Sequence, residues 1–186
     1  ADCEFIPMKP GDTVRLRQDV ELTAFRTRHV VPSVGYTVAH RIDKLDEAYR
    51  GRPGEELRAL KAEGVDITTP KRTPLISVTG DTLPEVIDDH PELMKSRVVI
   101  LECTFLDDQK PYEAARQGGH VHLRDLMERA DALSCDRLVL SHFSQMHEWS
   151  NIPALLAPLA ERVDAEVWAW PNRPDRHPVR VSAGAR

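Results

Sequence analysis

The sequence predicts an α/β fold, and two observations carry that prediction. Strand-like and helix-like apolar periods alternate through the second half of the chain, the pattern of a sheet whose parallel strands are joined by helices. Runs such as R-V-V-I-L-E-C at 97–103 and D-R-L-V-L-S at 136–141 are apolar at successive positions, as in strands covered on both faces. A third observation points towards chemistry. The runs F-R-T-R-H at 25–29, I-S-V-T-G-D at 76–81 and L-V-L-S-H at 138–142 end in His29, Asp81 and His142, and neighbouring strand ends of one sheet bring distant residues together.

Taken in order, T-V-R-L-R at 13–17 and E-L-T-A-F-R-T at 21–27 alternate apolar and polar residues about Gln18, Asp19 and Val20, which predicts a hairpin. A third antiparallel strand, G-Y-T-V-A-H-R-I at 35–42, follows the Pro32-Ser33 turn. The polar stretch 43–54 reads as a linker, and E-E-L-R-A-L-K-A-E-G at 55–64 as a short amphipathic helix stopped by Gly64. Strands are expected at 75–80, 98–104, 136–141 and 165–170, with helices near 84–96, 121–134 and 152–163. The segment 173–186, with two prolines and four arginines, is expected to be a basic, disordered or loosely attached tail on a single domain spanning 1–172.

Composition bounds the function. A chain of 186 residues, 41% hydrophobic and 30% charged, is long enough to bury a core, and a net charge of −5 excludes a uniformly basic nucleic-acid binder. A polyanion would have to be held by local patches. Cys3, Cys103 and Cys135 are widely spaced and form no C-x-x-C pair, which suits a reducing compartment better than a disulfide framework. No apolar run approaches the roughly 18 residues of a membrane span, and no basic-then-apolar leader opens the chain, so a cytoplasmic protein with no membrane partner is expected.

Each candidate ligand has a structural alternative. Asp81 follows Gly80 at a sharp turn, where an aspartate either ligates a cation or caps the helix that follows. A lone histidine such as His142 after a strand is commonly a satisfied structural residue, and its value rises with Asp81 and His29 beside it. Two imidazoles and a carboxylate suit zinc, with manganese or iron also accepted by such a set, but three donors leave the usual four of zinc incomplete. A second constellation pairs Glu102, near the end of its strand, with His120, which follows Gly118-Gly119. A carboxylate on one imidazole nitrogen fixes the tautomer and raises basicity, as an acid that protonates a leaving group needs. His122 competes for that role but fits packing on the helix better.

The series H-V-V-P-S-V-G-Y at 29–36, V-T-G-D-T at 78–82, L-E-C-T-F at 101–105, G-H-V-H at 119–122 and L-S-H-F-S at 140–144 resembles the metallo-beta-lactamase superfamily, and most of all ribonuclease Z, which removes the 3′ trailer of transfer RNA precursors. The match runs in order from about Lys9 to Asn172. It implies an αββα sandwich, two zincs per complete site, and a homodimer. His29 would bind one zinc, His142 the other and Asp81 would bridge them, while His120, oriented by Glu102, would protonate the departing ribose oxygen.

The departures from the pattern matter equally. The superfamily's H-x-H-x-D-H signature is absent, for His120-Val121-His122 is followed by Leu123-Arg124-Asp125-Leu126. The chain, which opens A-D-C-E-F-I-P-M, is therefore expected to be the downstream portion of the fold. After Ser144, a candidate substrate contact, the sequence reads Gln145-Met146-His147 where relatives carry an arginine able to face phosphate, leaving His147 as a surface histidine or substitute donor. The region between Tyr36 and Leu75 is short for the protruding arm that grips transfer RNA. Within it, Arg50, Arg52, Arg58 and Lys61 are candidate RNA contacts, or else the solvated face of an amphipathic helix.

Three functions fit. The leading one is a zinc-dependent phosphodiesterase acting on RNA. The second is a hydrolase of a small ester, lactone or cyclic phosphodiester on the same scaffold. The third is a catalytically silent half-domain that binds a partner through the sheet surface left open.

Overall fold

The computed structural model describes residues 5–182; Cys3 and the last four residues of the expected tail lie outside the described residues. One eight-stranded sheet runs in chain order. Strands β1 (Thr13–Arg17), β2 (Val20–Arg26), β3 (Val34–Leu45) and β4 (Thr68–Val78) pair antiparallel; a tight turn joins β1 to β2, a loop joins β2 to β3, and a longer connection that carries a helix joins β3 to β4. From β4 onward, β5 (Val98–Glu102), β6 (Arg137–Ser141) and β7 (Glu166–Ala169) are parallel, and β8 (Val179–Arg180) closes the edge antiparallel.

Parallel neighbours need crossovers, and the helices supply them. They are α2 (Glu85–Asp89), α3 (Tyr112–Gln117), α4 (Leu123–Glu128) and α5 (Ile152–Arg162), preceded by α1 (Gly54–Ala62) between β3 and β4. Val86 and Ile87 of α2, Leu126 of α4 and Leu156 and Leu159 of α5 pack on Val99, Leu101, Leu138, Leu140, Val167 and Ala169. Register puts those strand residues on one face, since Val99 pairs with Leu138 and Leu138 with Val167. Each fully buried leucine there is worth about 1.5–3 kcal/mol.

The opposite face carries another apolar row, Val78, Ile100, Val139 and Trp168, which the same register aligns. No helix covers it among the described residues, and Val78 and Ile76 are 37% and 39% exposed. The continuous apolar runs are therefore explained on one side only. The described residues supply one sheet and one helical layer of the four-layer αββα arrangement.

Several elements differ from expectation for local reasons. The helix expected over 84–96 stops at Asp89, because Pro91 lacks an N–H and restricts His90 before it; a 3₁₀ segment, Pro91–Lys95, continues it. The helix expected over 121–134 is α4 followed by the 3₁₀ turn Ala130–Ala132. His122 caps α4, accepting from Arg124 N–H at Nδ1 while its own N–H donates to Asp125, so it is structural. In the segment expected to be a loose tail, β8 pairs with β7 and Val181 is buried in the core, anchoring residues 179–181.

The polar linker at 43–54 is also partly strand. β3 and β4 continue as a two-stranded ribbon past the end of β2, whose last partner is His40, to the pair Leu45–Thr68, and α1 sits at the tip with no buried residue. Glu21 of β2 anchors the root. It is 4% exposed and accepts from Arg41 Nη1 at 3.0 Å and Arg72 Nε at 2.6 Å.

Candidate metal centre

The site lies at the carboxyl ends of β4, β5 and β6. Gly80, with φ of 65°, turns the chain so that Asp81 stands beyond β4. The loop carrying His29 is stitched alongside it, Arg28 N–H donating to Thr82 Oγ1 at 3.0 Å and Leu83 N–H to the Arg28 carbonyl at 2.5 Å. His142 follows β6 at φ 61°, the left-handed region that costs a non-glycine residue about 1–2 kcal/mol. Such strain persists where the surroundings over-determine it, and here the His142 ring is held by stacking on His120 and by its hydrogen bond with Thr104.

Donor atoms of Asp81, His120 and His142 lie within 4.8 Å of one another. His142 Nε2 is 3.5 Å from Asp81 Oδ1, and the His120 and His142 rings stack with centroids 5.3 Å apart. His29 stands on the far side of His120 at a centroid distance of 5.2 Å, adjacent to the three-donor cluster rather than within it. His120 is thus the middle imidazole of three.

Glu102 organises this group. It is 2% exposed and accepts three hydrogen bonds: Oε1 from the Thr82 N–H at 2.9 Å and from His120 Nδ1 at 2.9 Å, and Oε2 from the Thr104 hydroxyl at 2.7 Å. The Thr104 hydroxyl has one proton, committed to Glu102, so its oxygen must accept from His142 Nδ1, 2.9 Å away. One carboxylate therefore sets both tautomers, His120 directly and His142 through Thr104. His29 Nδ1 donates to the Gly119 carbonyl at 3.0 Å. Nε2 of all three imidazoles is left without a proton of its own unless the ring is charged. The hydrogen bond from His120 to Glu102 raises the His120 pKa above the ordinary imidazole value, with the charges of Glu102 and Asp81 adding to it.

These donors fit a cation. In the neutral tautomer that Thr104 sets, His142 turns an Nε2 lone pair towards a carboxylate oxygen of Asp81, and a divalent ion between them would relieve their repulsion. Their 3.5 Å separation is close to the roughly 3.3 Å between two tetrahedral ligands that each lie about 2.0 Å from zinc. The nitrogens away from the ion are held by carboxylate, hydroxyl and carbonyl groups, the usual outer support of metal-binding histidines.

The remaining sequence candidates fall into two places. Ser144 lines a cavity beside the site, its backbone N–H bonded to the Thr104 carbonyl at 2.8 Å. His147 is no surface histidine: it is 7% exposed, Nε2 accepts from Leu106 N–H at 3.2 Å, and burial lowers its pKa, so it is a neutral packing residue. Arg50, Arg52, Arg58 and Lys61 sit on or beside α1, at the tip of the ribbon. From Tyr36–Val78 at the site end to Leu45–Thr68 is nine residues, about 30 Å at about 3.3 Å per residue. They are not brought to the metal centre. Arg52 pairs with Glu56 and Arg50 with Glu47, whereas Arg58 and Lys61 form no ion pair among the described residues.

Sequence reasoning missed Thr104, Thr82 and Gly119. A Cβ at Gly119 would stand 2.6 Å from His29 Nδ1, and its φ is +79°, so this position admits only glycine without displacing His29. The G-G-H spacing was the available signal for Gly119. Thr104 had none beyond its place two residues after Glu102.

No family model matches the chain. It is 34% identical to tRNase Z TRZ1 of Arabidopsis thaliana over 161 residues, covering 86% of this chain and 58% of that protein. Identity to the chloroplastic tRNase Z TRZ2 of the same plant is 34% over 166 residues, 88% of this chain and 47% of the relative. The chain belongs to the metallo-beta-lactamase superfamily and is ribonuclease Z-like. This ribonuclease Z-like chain spans about half the length of the curated relatives it matches. Its fold is similar to that of the metallo-beta-lactamase fold protein YhfI from Bacillus subtilis, with a TM-score of 0.55 at 16% identity over 89% of this chain and 52% of that one. No helix among the described residues is long and apolar enough to cross a membrane.

Proposed function

We propose that the ribonuclease Z-like chain contributes the Asp81, His120, His142 side of a zinc-dependent phosphodiesterase centre that acts on RNA, with transfer RNA precursors as the substrate class. The observation that supports this most directly is the buried Glu102 and its three hydrogen bonds. A carboxylate nine-tenths buried is costly unless paired, and here it is spent on orienting two imidazoles towards one cleft. When bound, zinc supplies Lewis-acid stabilisation of phosphoryl charge and lowers the pKa of water. Asp81 and His142 would hold it, with His29, which stands beside the three-donor cluster, as the ligand of a second ion; manganese or iron would suit the same donors. His120, with Nδ1 engaged by Glu102, presents Nε2 to the cleft and from that atom hands a proton to the departing oxygen. Arg52, Arg58 and Lys61 grip RNA phosphates at the end of the ribbon, away from the chemistry.

A second reading is favoured by the open sheet face. The row Val78, Ile100, Val139 and Trp168 runs up to Glu102 and Asp81, and a partner surface seated on it would bring further ligands to the same cleft. On this reading the chain alone is silent and active only when that face is covered, by a second copy or another polypeptide. Zinc analysis of the purified 186-residue chain, with Asp81→Ala and His142→Ala beside it, tests the first reading. About one to two zincs per chain, lost in both variants, supports a competent centre. No bound zinc in the wild-type chain, with concentration-dependent association, favours the silent half-domain.

A further inference from the structure

Next to the metal centre lies a second cavity, of about 510 Å³, between the segment 143–152 and the turn 172–176. Its volume is in the range that holds a small organic ligand. Phe143 and Ile152, both buried, form part of its lining; Trp149, Arg173 and Arg176 line it too. Arg176 sits over the Trp149 ring at 5.9 Å, and neither Arg173 nor Arg176 forms an ion pair among the described residues. Two guanidiniums face one carboxylate, Glu148, so the lining is locally positive in a chain of net charge −5. Asn172 is a common wall: it lines this cavity and also the cleft containing Asp81, Glu102 and His142. Ser144 lies two residues after His142 and lines the cavity as well.

We propose that this cavity is a nucleotide subsite, taking one nucleotide of the RNA strand next to the phosphodiester held at the metal centre. The inference rests on the phosphodiesterase reading and names where that substrate is gripped. Arg173 and Arg176 take the phosphate, as planar forks that match its oxygens. Once Arg176, which rests over the Trp149 ring, turns to the phosphate, the indole offers the flat apolar surface on which a base stacks, a contact independent of sequence. The Ser144 hydroxyl and the Asn172 amide supply the polar contacts between. These arginines come from the turn after β7, not from the segment after His142. The chain thus places cationic groups at the site by a different route from the arginine that Met146-His147 lacks.

The test uses the 186-residue chain in chelator, with adenosine 5′-monophosphate and inorganic phosphate as probes, read by titration calorimetry and tryptophan fluorescence. Metal-free conditions separate this inference from the hydrolase reading, because the subsite requires no zinc. We expect adenosine monophosphate to bind and quench fluorescence, and Trp149→Phe to remove the quenching that Trp168 and Trp170 do not report. The double change Arg173→Ala with Arg176→Ala should weaken binding by at least about tenfold, while Arg97→Ala, an exposed arginine at the other end of the sheet, should leave affinity unchanged. Both altered arginines are exposed, so the fold is retained, as circular dichroism will verify. Undiminished affinity in the double variant overturns the proposal. So does inorganic phosphate binding as tightly as the nucleotide, which would mark a simple anion site.

Discussion

Replacing Thr104 by valine removes one oxygen and keeps the shape of a side chain that is 6% exposed. Two partners lose their hydrogen bonds: Glu102 Oε2, now at 2.7 Å, and His142 Nδ1, now at 2.9 Å. Glu102 is buried and keeps its bonds from Thr82 and His120, whereas His142 is exposed and water can replace its lost partner, so the cost should be that of one buried group short of a bond, about 1–3 kcal/mol. In a domain of this size each kcal/mol lowers Tm by about 2–4 °C. The larger effect falls on the metal, because His142 is freed to expose either nitrogen or rotate, and loss of such a supporting partner weakens binding by about 10–100-fold. Urea unfolding and competition for zinc with a chromophoric chelator measure the two quantities separately. Thr104→Ser restores both, since it keeps the hydroxyl. A Thr104→Val chain that binds zinc within about twofold of wild type would refute the claim that Thr104 links Glu102 to His142.

Three further outcomes follow from the same geometry. Gly119→Ala places a methyl against His29 Nδ1 at positive φ and should cost about 1–2 kcal/mol in urea unfolding, with the His29 imidazole signal displaced in NMR spectra; an unshifted signal contradicts the packing. Neutral His147 gives stability that is fully present above the unfolded imidazole pKa of about 6.5 and is lost as pH falls through the lowered folded value, since the unfolded chain takes up the proton first. Asp107 opposes this from 3.8 Å and His122 reinforces it, so the difference between wild type and His147→Gln from pH 7.5 to 5 is the quantity to follow, and parallel curves count against burial as the cause. Replacing Arg52, Arg58 and Lys61 together by alanine should lower RNA affinity and flatten its dependence on log salt by about two units; an unchanged slope removes the tip of the ribbon from the RNA interface.

What the sequence made legible was the placement of chemistry at strand ends. Asp81, Glu102 and His142 follow runs whose apolar character announces β4, β5 and β6, so their convergence follows from parallel pairing. The helices end earlier than the sequence implies, because the apolar period continues through Pro91 and Arg129 although the α-helical backbone does not. α3 has six residues and starts after Pro111, too short for a period to show. The ribbon was hidden because Asp43 and Lys44 are exposed, so no apolar alternation marks strands that project into solvent. Thr104 was illegible for a different reason. Threonine is common in and after strands, and its role exists only through the two distances that fix where its single proton goes.

The ribbon also behaves as a ruler. Glu21 fixes its root through Arg41 and Arg72, and an antiparallel pair can lengthen only in matched steps, because a shift of one residue turns every side chain to the other face. Two residues added to each strand would carry α1 outward by about 6.6 Å. The reach between the α1 tip and the cleft is therefore quantised, and chains that differ in β3 and β4 by even numbers of residues should hold α1 at stepwise different distances from an unchanged cleft.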